Sequence, residues 1–241
     1  MTYDLRLGRW QDVLADVECD VLMADPPYSA RVHSGQRTGS STRKSTLVYD
    51  GITESDTREF AGHWAAKTKW WAVIFSDHLG ARWWEAAWQA QGWYVFAPVV
   101  MLRECPTPRM SSDGPTSAAD YIVVARQKHR MPKSRMGSRP GYYVAKHTNG
   151  AGYKAERAHP GGKSADLMRA LIRDYSRPGD LVCDPCAGGG TTLLAAVQTG
   201  RRAVGAEMDP QTHAKALQRL ANAKVTVDWL DAPKATQEGL L

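Results

Sequence analysis

The chain has 241 residues, 43% of them hydrophobic and 23% charged, which is enough apolar content for a buried core and excludes a wholly disordered chain. Its longest apolar run, residues 93–102, contains Pro98 and falls well short of the roughly 20 residues of a membrane-crossing helix, so no membrane partner is expected. Lys plus Arg exceed Asp plus Glu by 31 to 25, favouring an anionic partner, while four cysteines and the lack of a basic-then-apolar leader suit a single domain over residues 1–241 in a reducing, cytoplasmic setting.

In chain order, short apolar runs at 20–24, 70–76, 119–125, 180–184 and 202–207 predict buried strands. Helical patterns fall between them at 54–67, 79–91, 164–175, 191–199 and 211–223, the third opening on Ser164 as an N-cap. Residues 93–102, the Pro/Gly/Ser-rich stretch 105–117 and the strand from 119 predict a hairpin. The expected fold is therefore α/β and doubly wound, with a mostly parallel sheet and one antiparallel hairpin strand. Trp84 and Trp88, spaced i and i+4, predict a helix packed on that sheet.

Two segments carry unbalanced positive charge. Residues 29–51 read as a mobile loop holding Arg31, Arg37 and Arg43 in Ser/Thr/Gly-rich sequence. Residues 126–163 hold ten Lys or Arg against the single acid Glu156, and within them 127–158, with Lys133, Arg135 and Arg139, reads as a basic insert. Either segment alone is as well explained as solvated surface. Together, and beside the motifs below, they favour a nucleic-acid partner.

The first of those motifs, Asp25-Pro26-Pro27-Tyr28, closes the strand at 20–24, and strand ends in an open α/β sheet are where ligands bind. Two prolines present carbonyls without amide donors, so with the Asp25 carboxylate they form an acceptor cluster suited to an amine, and Tyr28 offers a face for a planar base.

The second, Asp184-Pro-Cys186-Ala-Gly188-Gly-Gly190-Thr191-Thr192, lies between a strand and a helix, a nucleotide-binding layout. No lysine follows Gly190, which disfavours a nucleoside triphosphate, and Leu193 stands where a dinucleotide fingerprint needs a small residue. Glu207, at the end of the next strand, is placed to hold ribose hydroxyls. A nucleoside cofactor without a pyrophosphate remains. Cys183 and Cys186 form a Cys-x-x-Cys with no second pair, so no metal is expected.

These two blocks, with His159-Pro160-Gly-Gly-Lys163 leading into residues 167–172 between them, resemble the amino-group DNA methyltransferases that use S-adenosylmethionine. The catalytic block precedes the glycine block, as in the β class, which implies a Rossmann-like methyltransferase sheet in circularly permuted order. The resemblance implies that Asp25, Pro26, Pro27 and Tyr28 are catalytic. It further implies that Asp184, Cys186, Gly188, Gly190 and Thr191 line the methionine part of the cofactor, that Lys163 closes over it and that Glu207 holds its ribose. The sequence departs from the family at Cys186, where Phe is usual, at Ser164, where Pro is usual, and at Gly8-Arg9-Trp10, which replaces a Gly-Asp step. An Asp opening the catalytic block accompanies N6-adenine methylation in β-class relatives. The implied partner is double-stranded DNA, with a second copy of the chain and a cognate restriction endonuclease also to be considered. The alternatives are N4-cytosine, RNA or another amine as acceptor, and a catalytically silent nucleic-acid-binding protein.

Overall fold

The computed structural model describes residues 2–30, 51–104, 106, 114–129, 138–145 and 162–223. Their elements are β1 (Tyr3–Leu7), α1 (Trp10–Val13), β2 (Cys19–Ala24), α2 (Glu54–Lys67), β3 (Thr68–Ser76), α3 (Gly80–Ala90), β4 (Trp93–Val95), β5 (Val99–Arg103), β6 (Ala119–Gln127), β7 (Tyr142–Ala145), α4 (Ala165–Tyr175), β8 (Leu181–Asp184), α5 (Thr191–Gln198), β9 (Arg202–Glu207) and α6 (Pro210–Ala221). The strands form one sheet in the order β1-β9-β8-β2-β3-β6-β5-β7, with β4 also paired to β6. Strand β6 runs against its neighbours β3, β4 and β5, and the remaining pairings are parallel.

Side chains alternate across the pleat, so each strand feeds two cores. Val21, Met23, Val73, Phe75 and Val182 pack beneath α4, α5 and α6, whereas Leu22, Ala24, Ala72, Ile74 and Cys183 pack beneath α2 and α3. Trp84 and Trp88 are fully buried in the second core, as their spacing predicts. Local chemistry starts the helices. Thr53 and Asp56 form a reciprocal capping box at α2, the Ser164 hydroxyl accepts from Leu167 N at 3.3 Å at α4, and Asp209 caps α6 ahead of Pro210.

Two features differ from the sequence expectation. The two sheet edges, β1 and β7, carry only Leu5 and Tyr143 as buried residues; Asp4 and Arg6 interrupt the apolar residues of β1, and β7, a four-residue apolar stretch, arises inside the basic insert. The 93–102 run breaks into β4 and β5 around Pro98, which has no amide to donate to a ladder. No described helix is long and apolar enough to cross a membrane.

Candidate active site

Strands β9, β8 and β2 are parallel neighbours, so their C-terminal ends lie along one edge of the sheet. Glu207 ends β9, Asp184 ends β8 and Asp25 follows β2. The chain leaves β8 for α5 on one face and leaves β2 for α2 on the other, so a crevice opens between Asp184 and Asp25 where the winding reverses.

The glycine side of the crevice is set by backbone. Gly188 and Gly190 have φ of +51° and +73°, and Gly190 is the N-cap of α5. A Cβ at Gly188 would meet nothing within 4 Å, which leaves open space at the helix start, where the first amides of α5 have no intrahelical acceptor. A Cβ at Gly205 would lie 2.8 Å from the Asp184 carbonyl and 2.9 Å from Leu193, so only glycine lets β9 approach the turn. Ala187 N donates to the Ala206 carbonyl at 2.9 Å and ties the turn to β9. From behind, Arg219 of α6 donates to the Gly189 carbonyl at 3.1 Å and to the Thr191 hydroxyl at 2.8 Å.

Two carboxylates close this side. Asp184 is 1% exposed, and burial pushes its pKa up to about 7, against hydrogen bonds from Thr192 and from Cys186 N at 2.9 Å. Glu207 is buried and accepts from Asp209 N at 2.7 Å. Burial first, then the charges of Asp184, Asp25 and Glu207, drive the Cys186 thiol well above its usual range, so this residue is a neutral wall among three carboxylates. The residues fit a nucleoside cofactor with a cationic amino-acid tail: an open glycine turn, helix amides, a buried carboxylate beside the turn and a second, Glu207, at the end of the neighbouring strand.

The Asp25 side is set by side chains. Lys163 Nζ donates to both oxygens of Asp25, at 2.7 Å each, and lies 5.1 Å from the Tyr28 ring centroid and 4.8 Å from that of Phe75. Burial raises the Asp25 pKa, and Lys163 opposes that rise. The Tyr28 hydroxyl is buried beside Asp120 and makes no hydrogen bond of good geometry among the described residues. Burial, then the charges of Asp25 and Asp120, hold it well above the usual phenol range. Asp120, at the start of β6, pairs with Arg103 at the end of β5. After Tyr28 the chain is pinned by Asp77, whose Oδ2 accepts from Ser29 N at 2.9 Å and Ser29 Oγ at 2.5 Å, while its Oδ1 accepts from Leu79 N and Gly80 N. Ile52 N donates to the Tyr28 carbonyl at 3.1 Å and Ser29 bridges to Ile52, so the described residues on either side of 31–50 meet beside Tyr28.

The structure thus gathers Asp25, Pro26, Pro27, Tyr28, Lys163, Asp184, Cys186, Gly188, Gly190, Thr191 and Glu207 along one sheet edge. Lys163, expected to close over the cofactor, is bonded to Asp25. Arg139, expected on a phosphate backbone, is taken up within the fold: its guanidinium stacks 4.6 Å from the Trp71 ring and 5.5 Å from Tyr175, and Nε donates to the Asp174 carbonyl at 2.6 Å. Trp71 sits near the start of β3, three residues before Ile74, which pairs with Ala24 beside Asp25, so this brace lies toward the far end of the sheet. Arg31, Arg37, Arg43, Lys133 and Arg135 lie outside the described residues. Sequence reasoning misses Asp77, Arg103, Asp120 and Arg219. Asp77 carries a usable signal, since it follows a predicted strand as Asp25 does, whereas Arg219 has no local signature.

A family model described as DNA methylase matches residues 19–218. The chain belongs to the DNA methylase family. Among DNA methylases and their relatives, it is 31% identical over 136 residues to the putative methylase YubD of Escherichia coli (strain K12), a match covering 56% of this chain and 55% of that protein. The chain spans about half the length of the curated relatives it matches. Among solved structures, M1.HpyAVI in complex with SAM aligns with a TM-score of 0.67 and 20% identity over 90% of this chain and 100% of that one. The PvuII DNA methyltransferase, cytosine-N4-specific, aligns with a TM-score of 0.68 and 16% identity over 91% and 86%. This DNA methylase therefore has the doubly wound sheet expected from its strands and helices and the methyltransferase fold that the resemblance implies.

Proposed function

We propose that this DNA methylase transfers a methyl group from S-adenosylmethionine to the N6 amine of adenine in double-stranded DNA, after the base is flipped out of the duplex. The observation that carries this reading is the placement of Asp25, Asp184 and Glu207 on three adjacent parallel strand ends around the β8/β2 crevice. Glu207 holds the ribose, Asp184 and the α5 amides take the methionine end, and Gly188 leaves the room for close approach. The cofactor, when bound, supplies an electrophilic methyl on a cationic sulfur.

The chain's own residues prepare the other reactant. Adenine's amine is a weak nucleophile because its lone pair is delocalised into the ring. Asp25 and the Pro26 carbonyl accept its two N–H groups and localise that pair. Transfer of that methyl to the amine would form the N–C bond at the expense of the C–S bond, the leaving group being a neutral thioether. The amine then loses one proton, with Asp25 the nearest acceptor. Tyr28 supplies the stacking face, and Asp77 holds the segment that follows it. Residues 29–51 start and end beside Tyr28, which suits a segment folding over the flipped nucleotide, and Lys133 and Arg135 are assigned to phosphates.

Adenine is favoured over N4-cytosine by the Asp that opens the catalytic block. The block order along the chain, catalytic before glycine, is read as circular permutation. Incubating the protein with labelled S-adenosylmethionine and DNA, RNA or protein in parallel tests the acceptor class: label should enter double-stranded DNA, and label in RNA or protein alone would replace the reading.

A further inference from the structure

We propose that Lys163 is the resting occupant of the target-amine position, a cation that holds the catalytic carboxylate until a flipped base displaces it. The inference rests on the methyltransferase reading above and extends it to what holds Asp25 before a base arrives.

Lys163 Nζ occupies both oxygens of Asp25 at 2.7 Å, and its ammonium lies within 5.1 Å of the Tyr28 ring. Those are the two features the reading assigns to the substrate: the acceptor for the amine and the stacking face for the base. An amine donating to Asp25 while its ring covers Tyr28 needs the volume the ammonium fills, so the two donors are mutually exclusive at the shared oxygen. The lysine side chain is 11% exposed and Asp25 is 26% exposed, so water does not replace either partner freely. An ionised carboxylate left here without a donor would carry its desolvation cost unopposed.

The groups facing Asp25 make the lysine necessary. Asp120 from β6 brings negative charge that adds to the rise in the Asp25 pKa, burial holds Asp184 at the end of β8 up at about 7, and Tyr28 and the Cys186 thiol are neutral. Lys163 is the cation bonded to it among the described residues. It stands immediately before the Ser164 cap of α4, so a rotation ahead of that cap withdraws the ammonium without disturbing the helix. Lys163 is thus a positioning residue: it acts through Asp25 and leaves as the substrate arrives.

The test compares wild type, Lys163→Gln and Lys163→Arg as the full chain, with folding checked by circular dichroism. Carboxyl-labelled aspartate followed by ¹³C NMR reports the Asp25 titration directly, Asp25→Asn identifying its signal. In Lys163→Gln the Asp25 midpoint should rise by about one pH unit or more, because an opposing cation within bonding distance is lost. Lys163→Arg should hold it near the wild-type value. The acid limb of kcat/KM should move up by the same amount. Above that limb, and at saturating cofactor, the KM for DNA should fall about tenfold in Lys163→Gln, one charge-assisted bond no longer being broken on entry. A cofactor lid would behave otherwise, weakening cofactor binding and leaving the Asp25 titration in place. An unshifted Asp25 midpoint, or a KM for DNA that rises, in an active enzyme overturns the proposal. A wild type that transfers no methyl to DNA is a separate result, the failure of the parent reading.

Discussion

The two sides of the crevice are built by different means. The glycine side, from Asp184 to Glu207, is held mainly by backbone: two glycines at positive φ, a glycine that lets β9 close on the turn, and the Ala187–Ala206 hydrogen bond. The Asp25 side is held by side chains from distant segments: Lys163 on Asp25, Asp77 on Ser29, and Arg103 on Asp120 beneath Tyr28. The first side is a rigid receptacle. The second is a set of exchangeable polar contacts, which suits a surface that must trade internal partners for an incoming base. If so, damage to the Asp25 side should appear in turnover and damage to the glycine side in cofactor affinity.

The sharpest separation is Asp25→Ala, which should lower kcat by about 10³ through loss of the acceptor for the amine, while cofactor affinity by calorimetry stays within about twofold. A matching loss of cofactor affinity would erase the distinction between the two sides. Asp77→Ala comes next. It frees Ser29 and two amides at the start of α3, so kcat should fall about tenfold and stability by about 1 kcal/mol, read from denaturant unfolding. Equal kcat in a destabilised variant would reduce Asp77 to a helix cap.

On the glycine side, Glu207→Ala should weaken cofactor binding about tenfold with kcat little changed, because a ribose contact is made equally before and during reaction. The smallest effect is a pH dependence from Asp184. Its folded pKa, about 7, stands above the ordinary carboxylate value, so the folded state keeps a proton that the unfolded state has lost. Stability of the free protein should therefore decline as pH rises from about 4 to 7 and level off beyond. Affinity for a cationic cofactor should climb over the upper part of that window as Asp184 ionises. Asp184→Asn should flatten both trends, and calorimetric titrations from pH 6 to 8 read the second.

The same contrast explains what was legible in the sequence. The glycine side is one continuous stretch, and strand, turn, helix and terminal Glu207 can be read in order, because each is set by neighbours in the chain. Asp25 and Tyr28 stand out for the same reason. Their supports do not: Lys163 lies 138 residues from Asp25, and Ser29 lies 48 from Asp77, pairings that only the sheet order creates. The fold was legible wherever a strand is buried on both faces and illegible at edges β1 and β7, where a short half-exposed strand is interrupted by charge in β1 and set among basic residues in β7. Arg139 shows the opposite limit, since charge in sequence does not reveal that its guanidinium lies over the rings of Trp71 and Tyr175.

The central claim is that Asp25 presents its carboxylate to the exocyclic amine of adenine. Duplex DNA methylated by wild type and by Asp25→Ala, digested to nucleosides and resolved by mass spectrometry, tests it most directly. N6-methyladenine from wild type and none from the variant is the predicted result. N4-methylcytosine as the main product, or N6-methyladenine at equal levels from both proteins, would contradict it.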